Sequence, residues 1–241
     1  MNIMLPFTKM QAQGNDFVIL NSLNNELPDL TEELIRNITE RRYGIGCDQL
    51  LVLHPSKKAD AAMQIFNSDG SEAANCGNGL RCVGDLLIRE LNKDEVTIEL
   101  ADRTVKACRT DRGVAVEMGK ATIGEKTEAH VNIEIGNPHA VFFEATEAFP
   151  EGRNIEIITG QVADHVYLDI IERGAGRTPA CGSGACAATA AIWHVEGHTR
   201  PQTIEMPGGE VTVSGSPDNL ILEGGVETVF VGELSINSFS E

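Results

Sequence analysis

The sequence predicts an α+β protein made of two similar halves that face each other across a cleft. Three observations carry that expectation. The tetrapeptide Cys76-Gly-Asn-Gly79 returns 105 residues later as Cys181-Gly-Ser-Gly184. Each copy follows a series of short apolar runs, leads into a helical pattern and is followed by more short runs, as an internal duplication would leave it. The chain has 241 residues, 41% of them apolar, enough for one large core or two small ones.

The elements follow in order. Phe17–Leu20 and Gln49–Leu53 are short apolar runs that read as strands. Between them Asp29-Leu-Thr-Glu32 offers a capping box for a helix through Arg42, closed by Gly44. Met63–Phe66 is a further strand, stopped by the turn-forming Asn67-Ser-Asp-Gly70. Leu80, Val83, Leu87 and Leu91 recur at helical spacing. Val96–Leu100, Thr104–Cys108 and Val114–Met118 alternate as strands, with Asp111-Arg-Gly113 as a hairpin turn. The second half repeats the order with strands at Val131–Ile135, Ala140–Phe143, Ile155–Ile158 and Val166–Ile171, then a helix over Ala185–Trp193. Strands at Thr203–Met206, Val211–Val213, Leu220–Leu222 and Val229–Val231 close the chain. The polar stretch Gly119–Thr127 marks the boundary, giving halves at residues 1–118 with Cys76 and 119–227 with Cys181. The last strand, about 228–241, is a candidate to return to the first half.

Composition narrows the function. Nineteen basic against 36 acidic residues leave a formal charge of −17, which repels phosphate backbones and argues against a nucleic-acid partner. No apolar run is long enough to span a membrane. The start, MNIMLPFTKMQAQG, has neither the basic nor the apolar region of a signal peptide, so a cytoplasmic location is expected. Six cysteines in a chain of this size need not be disulfide staples. Their close pairs, Cys76/Cys82 and Cys181/Cys186, lack zinc-knuckle spacing, and no metal is expected.

The duplicated motif has a chemistry. Each cysteine lies just ahead of a helix, where free backbone N–H groups and the positive end of the dipole stabilise a thiolate or an incoming carboxylate. The glycines let the backbone turn and approach a ligand. Two such thiols on opposite faces of one carbon can remove a proton from one side and return it on the other, a matched acid–base pair that inverts a stereocentre. Cys47, Cys82, Cys108 and Cys186, in strand or helix interiors, read as small buried hydrophobes.

The segments KMQAQGNDF, GIGCDQ, FNSDGSEAANCGNGLRC, GNPHAVFF, FPEGRN and ERGAGRTPACGSGACA together resemble the diaminopimelate epimerases, two-cysteine enzymes that use no pyridoxal phosphate. The resemblance spans essentially the whole chain in the family's order. It implies two similar halves, each a β-barrel-like sheet around a central helix, with the active site in the cleft between them. It implies interconversion of LL- and meso-diaminopimelate for lysine and peptidoglycan synthesis, without cofactor. It also implies a small amino-acid substrate as the partner, and a homodimer is a further expectation.

By position, the resemblance puts the catalytic pair on Cys76 and Cys181. The α-carboxylate cradle falls on Gly77 and Asn78 with Gly182 and Ser183. Asn15, Gln49, Asn67, Asn137, Asn154, Glu172 and Arg173 match the polar set around the substrate, and His139 with Glu172 the pair that adjusts the proton affinity of the cysteines. The residue types suit a zwitterion: arginine forks onto a carboxylate, and neutral amides bind ammonium or carboxylate without burying unpaired charge.

Three departures stand out. Leu80 follows CGNG where a small alanine is usual, a change of packing only. Arg177 occupies a position usually acidic or uncharged, and the segment between GNPH and FPEGRN is short; both bear on substrate specificity rather than reaction type. Other readings remain open. Proline-type racemases share the two-cysteine logic but carry His where Asn78 stands. A related racemase of another amino acid, such as histidine, fits the same scaffold. A cysteine hydrolase using Cys181 and His139 would leave the Cys76 motif unexplained. No phosphate-binding loop or C-x-x-C redox motif is present.

Overall fold

The computed structural model describes residues 4–23, 25–146 and 148–236, which fold as two compact units. The first takes the chain up to Ala12, Asp16–Arg109 and the stretch from Val226 on; the second takes Gln13–Asn15 and Thr110–Gly225.

The first unit opens with β1 (Met4–Ala12), β2 (Asn15–Asn21), α1 (Glu32–Thr39), β3 (Gln49–His54) and β4 (Ala61–Asn67). It continues with α2 (Gly77–Leu91), β5 (Glu95–Glu99) and β6 (Thr104–Thr110). β2 lies parallel to β3 with Phe17 opposite Gln49, and β3 antiparallel to β4 with Gln49 opposite Asn67. β4 is parallel to β5 and β5 antiparallel to β6. α1 starts later and stops sooner than the capping-box reading puts it. Thr31, not Asp29, is its N-cap and accepts the Leu34 N–H at 3.2 Å. At its other end the Ile38 carbonyl takes the N–H groups of Ile45 and Gly46, which turns the chain away at Thr39. Ile35 and Ile38 bury against Val18, Leu20, Leu50 and Val52, so α1 seals one face of β2 and β3.

The second unit holds β7 (Gly113–Gly119), β8 (Thr122–Lys126), β9 (His130–Glu134), β10 (Pro138–Phe142), β11 (Asn154–Val162), β12 (His165–Glu172) and β13 (Gly176–Arg177). Then come α3 (Gly182–Glu196), β14 (Gln202–Met206), β15 (Gly209–Ser216) and β16 (Asn219–Gly224). β7 pairs with β16, Val116 opposite Leu222, so this unit begins at Thr110 rather than at residue 119. The stretch read as a polar boundary contains β8, whose mostly exposed residues give no apolar signal. β17 (Glu227–Ser235) runs antiparallel to β1 and counts with the first unit; residues 237–241 of the expected returning strand lie outside the described residues.

The strand order of the first unit recurs in the second: β10 parallel to β11, β11 antiparallel to β12, β12 parallel to β14, β14 antiparallel to β15. Each unit threads a 15-residue helix through its strands, α2 against β1 and β5, α3 against β8 to β11, β15 and β16. α3 is buried all round through Trp193, and its run of alanines is what lets strands close around it. Both helices end on a left-handed residue, Asn92 and Gly197.

The match extends to single positions. Cys76 and Cys181, Gln49 and Asn154, and Asn67 and Glu172 are each 105 residues apart, while Asn15 and Phe17 correspond to Asn137 and His139 at a spacing of 122. The 17-residue difference is the chain that carries α1 in the first unit; among the described residues the second has no helix between β10 and β11.

Candidate active site

Both motif cysteines are helix N-caps. Cys76 holds extended backbone (φ −153°, ψ 101°), and its Sγ accepts the Gly79 N–H at 3.3 Å. Cys181 does the same at φ −134°, ψ 114°, its Sγ accepting the Gly184 N–H at 3.4 Å. Gly77 and Asn78, and Gly182 and Ser183, form the buried first turns, where backbone N–H groups have no intrahelical acceptor. A thiolate and a substrate carboxylate both suit such a place. Asn78 is held from within its helix by the fully buried Arg81, whose Nη2 donates to Asn78 Oδ1 at 2.6 Å.

In the first unit, Gln49 and Asn67 form one directed chain. Asp69, a carboxylate, can only accept, and it takes the Ser71 hydroxyl at 2.6 Å. Ser71 Oγ therefore accepts from Asn67 Nδ2 at 3.0 Å, and Asn67 Oδ1 accepts from Gln49 Nε2 at 3.0 Å. Gln49 is left presenting an acceptor oxygen, which suits an ammonium group. Asn15, which counts with the second unit, is half-buried at the head of β2. Its neighbour Asp16 anchors a network absent from the sequence reading: Arg41 grips both its oxygens at 2.7 and 2.9 Å, and Lys9, itself buried, reaches it at 2.7 Å. Asp48 accepts from the Asp16 N–H and also binds Arg41, so the network flanks Gln49 as well as Asn15.

In the second unit, Asn154 Oδ1 accepts the Arg173 backbone N–H at 2.9 Å. A backbone N–H only donates, so the amide nitrogen of Asn154 is the group left to bind a carboxylate, with the exposed Arg173 beside it. Asn137 is oriented likewise: its Oδ1 pairs with His139 Nε2 at 2.9 Å, leaving Nδ2 as donor. His139 is fully buried, and its carboxylate partner is Glu156, with Nδ1 to Oε1 at 2.7 Å. Glu172, the other member of the expected proton-affinity pair, accepts the Thr178 hydroxyl at 2.7 Å. Sequence reasoning missed Glu156. Its one signal was a charged residue inside the apolar run Asn154-Ile-Glu-Ile-Ile158. Arg177, the unusual cation, pairs with Asp169 on the surface.

The two thiols differ in burial. Burial pushes the Cys181 thiol well above its ordinary range; Glu172 and Glu156 push the same way, and the Ser183 hydroxyl and Gly184 N–H offset this only in part. Cys76 is half-buried, with Asn67 standing where the second unit has Glu172. Of the other thiols, burial raises Cys47 to about 12 and Cys82 higher still, as expected of inert core cysteines. Among the described residues no group of three or more His, Cys, Asp or Glu is placed to hold a metal, and no helix is long and apolar enough to cross a membrane.

A family model described as diaminopimelate epimerase matches residues 7–124 and 140–229. The chain is 36% identical to a diaminopimelate epimerase of Rhodospirillum centenum, covering 95% of this chain and 92% of that one. It is 37% identical to one of Phenylobacterium zucineum, with 95% and 97% covered. Among solved structures, a PhzF-family phenazine biosynthesis protein of Bacillus anthracis superposes with a TM-score of 0.75 at 17% identity, covering 96% of this chain and 99% of that one. A hydroxyproline epimerase of Agrobacterium vitis superposes at 0.72 with 16% identity, covering 98% and 94%. At those identities the structures share the fold.

Proposed function

The chain belongs to the diaminopimelate epimerase family, and from that premise we propose that it interconverts LL- and meso-diaminopimelate by a two-base proton transfer between Cys76 and Cys181. It is an isomerase of lysine biosynthesis, and the same product serves peptidoglycan synthesis. One cysteine, as thiolate, takes the α-proton; the other, as thiol, gives its proton to the opposite face of the carbon. The proton bound at the end is not the proton removed, and the pair finishes with its roles exchanged. The α-hydrogen is a very weak acid, so the carboxylate must be stabilised as carbanion character develops, a task suited to the N–H groups of the two helix starts.

The observation that carries this reading is the repeated N-cap thiol, one at the head of each 15-residue helix, each bonded to the last glycine of its own Cys-Gly-x-Gly turn. The surrounding amides support a substrate with charges at both ends: Gln49 offers an acceptor for ammonium, and Asn137, Asn154 and Arg173 offer donors for carboxylate. The pairing of Arg177 with Asp169 supports a site whose charge balance stays that of the family. Two thiols that must stay unjoined suit the reducing cytoplasm.

The test is a panel of epimerisation assays. The purified protein should invert diaminopimelate isomers and leave histidine, proline, glutamate and lysine unchanged, in metal-free buffer without pyridoxal phosphate. Turnover of histidine or proline in preference to diaminopimelate would overturn the substrate assignment.

A further inference from the structure

The two units fill one pair of equivalent positions with opposite chemistry. In the first, Phe17 and Leu51 lie on β2 and β3, and Leu51 Cδ1 comes within 3.1 Å of the place a Cβ on Gly79 would occupy. In the second, the same positions hold His139 and Glu156, and Glu156 Oε1 comes within 2.7 Å of the place a Cβ on Gly184 would occupy. Both side chains of this pair are wholly excluded from solvent, and Glu156 Oε2 has no hydrogen-bond partner among the described residues. Such a pair is a poor device for stability, since a buried charge costs more than apolar packing of the same volume. The first unit demonstrates that this backbone accepts an apolar pair in those places. The fold therefore does not require Glu156, and its location points elsewhere: the carboxylate lies against Gly184, the residue whose N–H bonds Cys181 Sγ.

We propose that Glu156 is a positioning residue for the proton of Cys181, keeping that thiol protonated in the resting enzyme so that Cys181 begins as the acid of the pair. This deepens the two-base reading and rests on it. The groups that face Cys181 come from four elements. Glu172 on β12 and Glu156 on β11 oppose a second negative charge beside them. His139 on β10 holds Glu156 in place through Nδ1. From α3, the Ser183 hydroxyl at 3.4 Å and the Gly184 N–H favour the thiolate. In the catalytic step the Cys181 S–H bond breaks as the new C–H bond forms, and the thiolate left behind is stabilised by those two α3 donors. The first unit holds Leu51 and Asn67 in the places of Glu156 and Glu172.

The test reads Cys181 directly, without turnover. Wild type, Glu156→Gln and Glu156→Leu are treated with iodoacetamide across pH values from ~6 to ~10, and labelling of each cysteine is followed by peptide mass spectrometry. Glu156→Gln keeps the shape and removes the charge, while Glu156→Leu installs the residue of the first unit. Either variant should label Cys181 about tenfold faster at neutral pH, a labelling midpoint about one pH unit lower. Cys47, Cys82 and Cys186, at most 2% exposed against 6% for Cys181, should stay unlabelled. Unchanged labelling of Cys181, or a rise shared with Cys47 and Cys82 as general loosening would give, overturns the proposal. Loss of diaminopimelate turnover in the wild type would instead count against the functional reading, so the two failures are separable.

Discussion

A glycine shows at the scale of one residue how the two half-sites differ. Gly79 and Gly184 hold the same place in their motifs, the third residue after each N-cap, but the neighbours awaiting a Cβ are unlike. At Gly79 the nearest atom is the end of a leucine, 3.1 Å away and able to rotate aside. At Gly184 it is a carboxylate oxygen 2.7 Å away, fixed on a buried histidine. Gly184→Ala should therefore cost about 1–3 kcal/mol of stability through overpacking and Gly79→Ala distinctly less. Thermal unfolding of the two variants checks this, and equal losses would mean that Glu156 moves freely. At this scale the sequence was partly legible. The duplicated Cys-Gly-x-Gly marked the two thiols, since a turn ahead of a helix is a local feature. Which carboxylate His139 meets was not, because Glu156 and Glu172 lie on neighbouring strands and only the parallel register of β10 and β11, His139 beside Asn154, brings Glu156 to it.

Among elements, helices and central strands could be read and edges could not. Strands such as Gln49–His54 are apolar on both faces and announce themselves; β8 is exposed almost throughout, and β1 is interrupted by Pro6 and Lys9. Lys9 breaks the pattern for a reason. It is a buried cation serving Asp16, and with Arg41 it ties β1 and β2 to the loop that leads into Gln49. Burial raises the Asp16 carboxyl, but the hydrogen bonds and charges of Arg41 and Lys9 more than reverse this and hold it far below the usual carboxylate range. Its pKa being depressed on folding, the stabilisation is present above the unfolded value of about 3.9 and fades as pH falls below that towards the folded value. Asp16→Asn should cost about 2 kcal/mol at neutral pH, and the gap to wild type should narrow in urea melts at pH below about 4. A gap that stays constant with pH would show that the network acts by shape alone. Among the described residues the second unit has no helix equivalent to α1, a difference that only the matched strand order brings out.

For the whole molecule, the duplication is the organising fact: two units with one strand order, each carrying a cysteine at the head of its central helix. Apolar content and repetition foretold the two halves, and the last strand was a candidate to return to the first; the rest of the division of the chain was not legible. Strand pairings set it: β7 joins β16, and β17 returns across the full length of the chain to β1. The reaction assigned here needs both cysteines, one as acid while the other is base, so neither half is sufficient alone. The most direct measurement is incorporation of deuterium at the α-carbon of diaminopimelate in D2O by wild type, Cys76→Ala and Cys181→Ala. Wild type should introduce one solvent deuterium with each inversion, and inversion should fall by at least about a thousandfold in either variant. Inversion that keeps the original hydrogen, or a single-cysteine variant within about tenfold of wild type, would contradict the two-base reading.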